Sequence, residues 1–446
     1  MLIGKMGLIY SHATLTVIAA AGDNPNYGLP GVGTTKRRHR TTVQIDFKTF
    51  AISRGVQREI AASKWNSRGW TYQEALLSRR RLVFTDSRFY FQCCAMHCPE
   101  SLAFPLQSLH ISNAQRFPEK LTLWKAFPAR GVGNGHHSPM DRIVEFMNRN
   151  LSFDADALRA FQGIIEEFKN SKSQVHFLSG VPLAPREYVI GPGLDNAWNT
   201  SQLVFGLTWG DIKYSRLKRK FSRRIGFPSW SWLGWKVEMD EIGEADWGPK
   251  MELFGLEYKW SPIGTRRYGT FQNHLEVMVD LPDSTVIPWK GNRELIQSKF
   301  SNGEIPRYLP IDDWTCGLEI KRSTVQDDWE VSWPDYATQN MNNDHWPLQN
   351  CCDINLSYLM AGQLSATLSL LILCSTAHKP HYKVCLPLKH SDHIKAYERI
   401  GICNLLTFCH YSGMRMVDPK APIEELLQTH STFGPLQFAI SEARLG

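Results

Sequence analysis

Residues 65–94 read WNSRGWTYQEALLSRRRLVFTDSRFYFQCC. Gly69 interrupts whatever precedes it. Thr71 and Glu74 have the S/T-x-x-E spacing of a capping box and predict a helix start. That helix is short, because Leu76-Leu77 is its only apolar pair before Ser78 and the arginines Arg79, Arg80 and Arg81. Leu82 to Thr85 is a strand candidate, Asp86-Ser87 a turn, and Phe89-Tyr90-Phe91 the second arm of a hairpin. The stretch therefore reads as turn, short helix, strand, turn, strand, the grammar of an α/β unit.

Upstream, residues 1–11 have the character of the last turns of a helix. Thr14 to Ala20, rich in β-branched side chains, predicts a strand. A turn-rich loop spans Gly22 to Gly33, and the basic run Lys36 to Arg40 reads as a solvated loop. Arg54 to Ser63 suits a short helix. Downstream, the crowded cluster Cys93, Cys94, His97, Cys98 lacks a second ligand pair, so no metal site is expected there. Gly131 to Ser138, GVGNGHHS, is not placed between a strand and a helix in a phosphate-binding pattern. Apolar residues at helical spacing predict helices over Met140–Arg149 and Asp154–Lys169, the second with Asp154 as its cap. Leu203 to Trp209 reads as an apolar strand. Arg216 to Arg224, RLKRKFSRR, is the strongest basic run, a solvated loop or else a phosphate-contacting patch. Phe227 to Trp235, FPSWSWLGW, predicts a strand with Trp230 and Trp232 alternating onto one aromatic face. From 236 to 446, short apolar or alternating runs such as Leu364 to Cys374 are separated by Pro, Asn, Asp and Gly turns, which is a β-rich pattern.

The 446 residues allow about two or three domains. With 43% hydrophobic and 21% charged residues, the composition is that of a globular chain rather than a disordered one. A net charge of +7 is mild for this length and does not by itself imply a nucleic-acid partner. Ten cysteines are too sparse for a disulfide scaffold, so reduced thiols are expected. No apolar run reaches the roughly 18 residues of a membrane span. Lys5, an apolar run and Ala19-Ala20-Ala21 mimic a secretion signal, but the β-branched content of 14–20 favours a core strand.

Five motifs together resemble the fungal heterokaryon-incompatibility (HET) family. Arg68-Gly69-Trp70-Thr71-Tyr72-Gln73-Glu74-Ala75-Leu76-Leu77-Ser78 looks like the last block of the HET domain. Ile9 to Asp23 followed by Gly28-Leu29-Pro30-Gly31 is similar to an upstream block, in the family's order. Leu151 to Ile164, LSFDADALRAFQGI, and Phe227 to Trp235 resemble segments of long HET proteins, as does Tyr397-Glu398-Arg399-Ile400-Gly401-Ile402. The family's earlier blocks, an A-L-S-Y-x-W-G strand and a W-x-D-x-x-C-I-N-Q helix, do not occur here. The expectation is therefore a partial, N-terminally truncated HET domain, with the strand at 14–20 left with an open edge.

The resemblance implies a TIR-like α/β fold for 1–100. A mixed, largely helical middle region is expected over 101–235, ending in the FPSWSWLGW strand, then a β-rich region over 236–446, α+β overall. It also implies a cytoplasmic non-self-recognition protein that promotes programmed cell death through protein partners or self-association. No membrane or nucleic-acid partner and no cofactor are expected. Some members of the wider TIR group cleave NAD through a glutamate. That makes Glu74 a candidate catalytic residue, with its place in the capping box as the competing structural role. Arg68 and Gln73 are candidate polar groups of the same pocket or loop-fixing hydrogen bonders, and Trp70 is core or ligand platform. A NAD-cleaving enzyme and a basic nucleic-acid-binding factor using Arg216 to Arg224 remain the alternatives.

Overall fold

A computed structural model describes residues 5–39, 42–51, 55–100, 105–111, 125–128, 131–133, 138–171, 174–183, 203, 206–207, 209, 220–238, 276–300, 305–322, 329–332, 346–347, 352–354, 365–375, 381–391, 396–407 and 439–445. These residues mix helices and strands in an α+β arrangement and fall into two compact units, one running to Gln174 and the other starting at Val175.

The first unit is built on a four-stranded sheet of order β1-β4-β5-β6. Strand β1 is Thr16–Ala19, preceded by helix α1, Met6–His12. A separate hairpin, β2 (Thr42–Ile45) and β3 (Lys48–Ala51), leads to helices α2, Val56–Ala61, and α3, Thr71–Leu77. Strand β4 (Arg80–Phe84) returns parallel to β1, with Ile18 opposite Val83. Strand β5 (Phe89–Cys93) turns back antiparallel to β4 through Asp86-Ser87, and β6 is His97–Pro99. The strand expected at 14–20 and the hairpin expected around 82–91 are thus both present. A parallel return needs a crossover, and α2 and α3 supply it. Alternation decides what is buried: Ile18, Val83 and Tyr90 face a core completed by Val56, Ile60, Ala75, Ala126 and Phe127.

Beyond the short helix α4, Leu106–Leu109, come α5, Ser138–Met147, and α6, Ala157–Asn170. Their apolar stripes place Ile143, Phe146 and Met147 on α5 and Phe161, Ile164, Ile165 and Phe168 on α6 in the interior. Tyr72 of α3 stacks on Phe161 at 6.4 Å, and Phe146 meets Phe161 edge-on at 5.2 Å. Asp154 does not cap α6. It opens a 3-10 turn, Asp154–Asp156, and Asp156 stands at the cap position without a side-chain cap bond.

The second unit contains an 11-stranded sheet among the described residues. Its backbone is β13 (Leu309–Arg322), β17 (Ser365–Ser375) and β18 (His381–Ser391), flanked by β11 (Glu276–Asp280), β12 (Val286–Pro288), β14 (Trp329–Ser332), β15 (Trp346–Pro347), β16 (Cys352–Ile354), β19 (Ala396–Arg399), β20 (Gly401–Thr407) and β21 (Ala439–Leu445). Pairing is antiparallel except between β19 and β21. Two hairpin-like pairs precede it: β7 (His176–Leu178) with β8 (Val181–Leu183), and β9 (Lys220–Arg223) with β10 (Trp235–Glu238).

Three expectations are corrected in this unit. Phe227 to Trp235 is not a strand: Trp232–Gly234 forms a 3-10 turn, and the strand begins only at Trp235. All three tryptophans are nonetheless buried, at 0%, 0% and 3% exposure. The turn lets two of the indoles find acceptors: Trp232 donates to the Gly180 carbonyl at 2.6 Å and Trp235 to the Ser229 carbonyl at 2.9 Å. Leu203, Gly206 and Leu207 are helical, not extended. An apolar run of that length is compatible with either periodicity, and only its surroundings decide.

The described end of the basic run is not a solvated loop: Lys220–Arg223 is a strand, and Arg224 after it is buried. Arg224 is 1% exposed and donates to the Trp235 carbonyl, while Arg223 donates to the carbonyls of Gly234 and Phe227 and lies over the Trp235 ring at 5.0 Å. The Trp string and the E-R-I segment form one structure. Glu398 pairs with Arg223 at 3.7 Å, and the Arg399 N–H donates to Ser229 Oγ at 2.9 Å. The Arg399 guanidinium, buried over the Trp209 ring at 3.8 Å, donates to the carbonyls of Leu207 and Trp209.

Candidate functional site

Helix α3 carries two of the four candidate site residues, Gln73 and Glu74, with Trp70 at its N-cap position, and its surroundings decide what each can do. Its N-terminal end is not a capping box. The Thr71 hydroxyl turns away from the helix and donates to the carbonyls of Trp65 at 2.6 Å and Arg68 at 2.8 Å; no side chain caps the helix at Trp70. Thr71 is 2% exposed, so the turn 65–68 takes its hydroxyl and the helix start goes without it. Gly69 permits this turn. A Cβ there would lie 2.5 Å from Leu151 Cδ2, and its N–H donates to the Asn150 carbonyl at 2.7 Å.

Glu74 is half-buried and accepts from the Trp65 indole N–H at 3.2 Å. The Tyr10 hydroxyl of α1 is pushed up to about 12 by burial first and then by the Glu74 carboxylate beside it. Gln73 is buried at 1% exposure and points into α6. Its Nε2 donates to the Arg159 carbonyl at 3.3 Å, and its Oε1 accepts from the Gly163 N–H at 3.1 Å. Those are the two ends of one i to i−4 pair, so a single amide brackets a turn of α6. Gly163 makes room for it, since a Cβ there would sit 2.2 Å from Gln73 Oε1 and 3.0 Å from the Gly7 Cα of α1. The Trp70 indole donates to Asp156 Oδ2 at 3.4 Å. Arg68 is exposed. The four residues are neighbours in sequence but diverge in space.

The pattern reading missed the charged groups that hold this helix. Arg149 is buried over the Tyr72 ring at 4.6 Å, and it donates to the carbonyls of Asn66 at 2.5 Å and Arg68 at 3.3 Å. Burial lowers its pKa to about 10. At the other end Arg81, the third arginine after the helix, is 2% exposed and donates to the last carbonyls of α3, Ala75 and Leu76. A cation on unpaired C-terminal carbonyls is the arrangement the helix dipole favours. Strand alternation was the one available signal, because Arg81 shares the inward phase of Val83.

Below Tyr72 lies a buried polar cluster. The Tyr72 hydroxyl donates to Glu145, whose carboxylate also pairs with Arg142 at 2.9 Å. Burial raises Glu145 to about 7, the opposing pull of Arg142 and the Tyr72 hydrogen bond being smaller. Among the described residues no group of His, Cys, Asp and Glu is placed to hold a metal ion. His97 instead tilts against the Tyr90 ring at 5.8 Å. No described helix is long and apolar enough to cross a membrane.

Chemically, the arrangement around α3 is a clamp: Gln73, Thr71, Arg81 and Arg149 are spent on backbone groups, and Glu74 is the one carboxylate of the motif with a solvent-facing side. No curated protein and no solved structure matches the chain. Residues 2–74, which run from α1 through β1 to the first turn of this clamped helix, match the family model described as Heterokaryon incompatibility protein (HET).

Proposed function

We propose that this chain is a fungal heterokaryon-incompatibility signalling protein, cytoplasmic, that promotes cell death by protein association through its HET segment rather than by turning over a substrate. We read β1, α2, α3 and β4 as part of a TIR-like α/β layer, a reading supported by the parallel β1–β4 pair and its helical crossover. The observation that carries association is the outer side of β1. Among the described residues β1 pairs only with β4, and Leu15 and Val17, just before and within it, are 42% and 52% exposed. An apolar strand edge of this kind is a ready template for another chain.

The test is inducible expression of the full chain in a filamentous fungal host, with viability scored for wild type and Val17→Lys. Death on wild-type expression, relieved by the edge lysine at unchanged melting temperature, is expected. Unimpaired growth on wild-type expression refutes the proposal. The enzymatic alternative rests on the solvent-facing side of Glu74 and is separated by measuring NAD loss with purified protein. Turnover abolished by Glu74→Gln at unchanged stability moves the chain into the enzyme class. The nucleic-acid alternative loses Arg223 and Arg224, which are committed to backbone carbonyls.

A further inference from the structure

The hairpin β2–β3 stands apart from the sheets of its unit, and every residue of β2 is exposed. A lone two-stranded hairpin is marginal in water, and burying an apolar face is the usual remedy. Here the apolar side chains point outward: Val43 is 41% exposed, Ile45 55%, and Phe47, at the tip, 108%. The tip is also strained. Ile45 pairs with Lys48, so the loop is the two residues Asp46 and Phe47, with φ of +46° and +61°. This is the type I′ geometry that favours Asn-Gly or Asp-Gly. A bulky aromatic in the second, left-handed position costs conformational energy, and at 108% exposure Phe47 gains no burial in return.

The surroundings say what such a tip meets. Lys36, Arg38 and His39 lead into the hairpin and are exposed, and Lys48 flanks the tip. Arg37 is occupied by Glu100, and Asp46 is the one acidic group of the loop. Four residues of strand rise roughly 13 Å. A tip sunk about 5–10 Å into a bilayer therefore leaves the start of β2 at headgroup depth, with Lys36 and Arg38 a few residues before it in sequence. A partner strand added to the hairpin edge would use the backbone and the alternating side chains of β2, and would leave Phe47 unexplained.

We propose that the β2–β3 hairpin is a peripheral membrane-contact element, inserting Phe47 with Val43 and Ile45 behind it into a bilayer whose anionic headgroups are held by Lys36, Arg38 and Lys48. This needs no spanning segment and is independent of the association proposed for β1.

Phe47→Gly makes a clean variant, because it places the Asp-Gly pair that the turn prefers. The fold is relieved of strain while the inserting group is removed. Flotation of the full chain with phosphatidylcholine vesicles, and with vesicles containing about a third phosphatidylserine, reads the binding. Wild type is expected to float with the anionic vesicles only. Phe47→Gly is expected to lose at least about tenfold in partition at an equal or higher melting temperature. Lys36→Gln and Arg38→Gln are each expected to cost about fivefold, and the loss to shrink at high salt. Absence of wild-type binding to the anionic vesicles overturns the proposal, as does Phe47→Gly floating like wild type; an acidic protein face would give the first of these results.

Discussion

Replacing Gly163 with alanine sets two magnitudes of opposite sign against each other. In an ordinary helix interior Gly→Ala gains about 1 kcal/mol from propensity. At 163 the new methyl would overlap Gln73 Oε1, at 2.2 Å, and press on the Gly7 Cα at 3.0 Å. Overpacking costs about 1–3 kcal/mol. Displacing the Gln73 amide also breaks its bonds to the Gly163 N–H and the Arg159 carbonyl, and a buried group left unpaired costs about 1–3 kcal/mol. The overlap wins, so Gly163→Ala is expected to destabilise the first unit by roughly 1–5 kcal/mol. Hydrogen exchange of the α3 and α6 amides reads this unit without contribution from the second one. A double-mutant cycle with Gln73→Ala locates the cause. If the amide is what the methyl strikes, the two changes together cost less than their sum. A Gly163→Ala protein with unchanged or greater protection in α3 and α6 would show that the helices do not meet this closely, and the clamp would have to be abandoned.

Glu145→Gln should flatten the pH dependence of stability. The folded carboxyl is raised from 4.5 to about 7, so its contribution is full below about pH 4.5 and is lost as pH rises through 7, up to roughly 3 kcal/mol. Melting of wild type at pH 5 and pH 8 should differ by more than melting of the variant, and equal differences would argue against a buried Glu145. Trp232→Ala should cost the second unit roughly 3–5 kcal/mol in urea unfolding, since the side chain is fully buried and its N–H is bonded to Gly180. Wild-type stability of that variant would contradict the described core.

Sequence alone determined the elements whose signal is local. Thr16–Ala19 is a strand because β-branched residues are concentrated there, and Arg80–Phe84 and Phe89–Cys93 flank a polar turn that makes them a hairpin. The helices at Ser138–Met147 and Ala157–Asn170 follow from apolar stripes of period 3.6. The HET motif around Arg68 to Ser78 was also legible, being a string of residues. Tertiary structure decided what the motif does. The Thr71-x-x-Glu74 spacing permits a capping box, but a buried hydroxyl takes whichever carbonyl lies nearest, and those belong to Trp65 and Arg68. Gln73 and Gly163 lie ninety positions apart, and no local pattern pairs them. The run ending at Arg224 reads as a solvated loop or a phosphate-contacting patch, and Arg81, Arg149 and Arg399 carry no assigned role in one dimension, yet all four arginines are buried in three dimensions. Carbonyls left unpaired at helix ends and turns need donors with reach, and only the fold brings a particular arginine to a particular carbonyl.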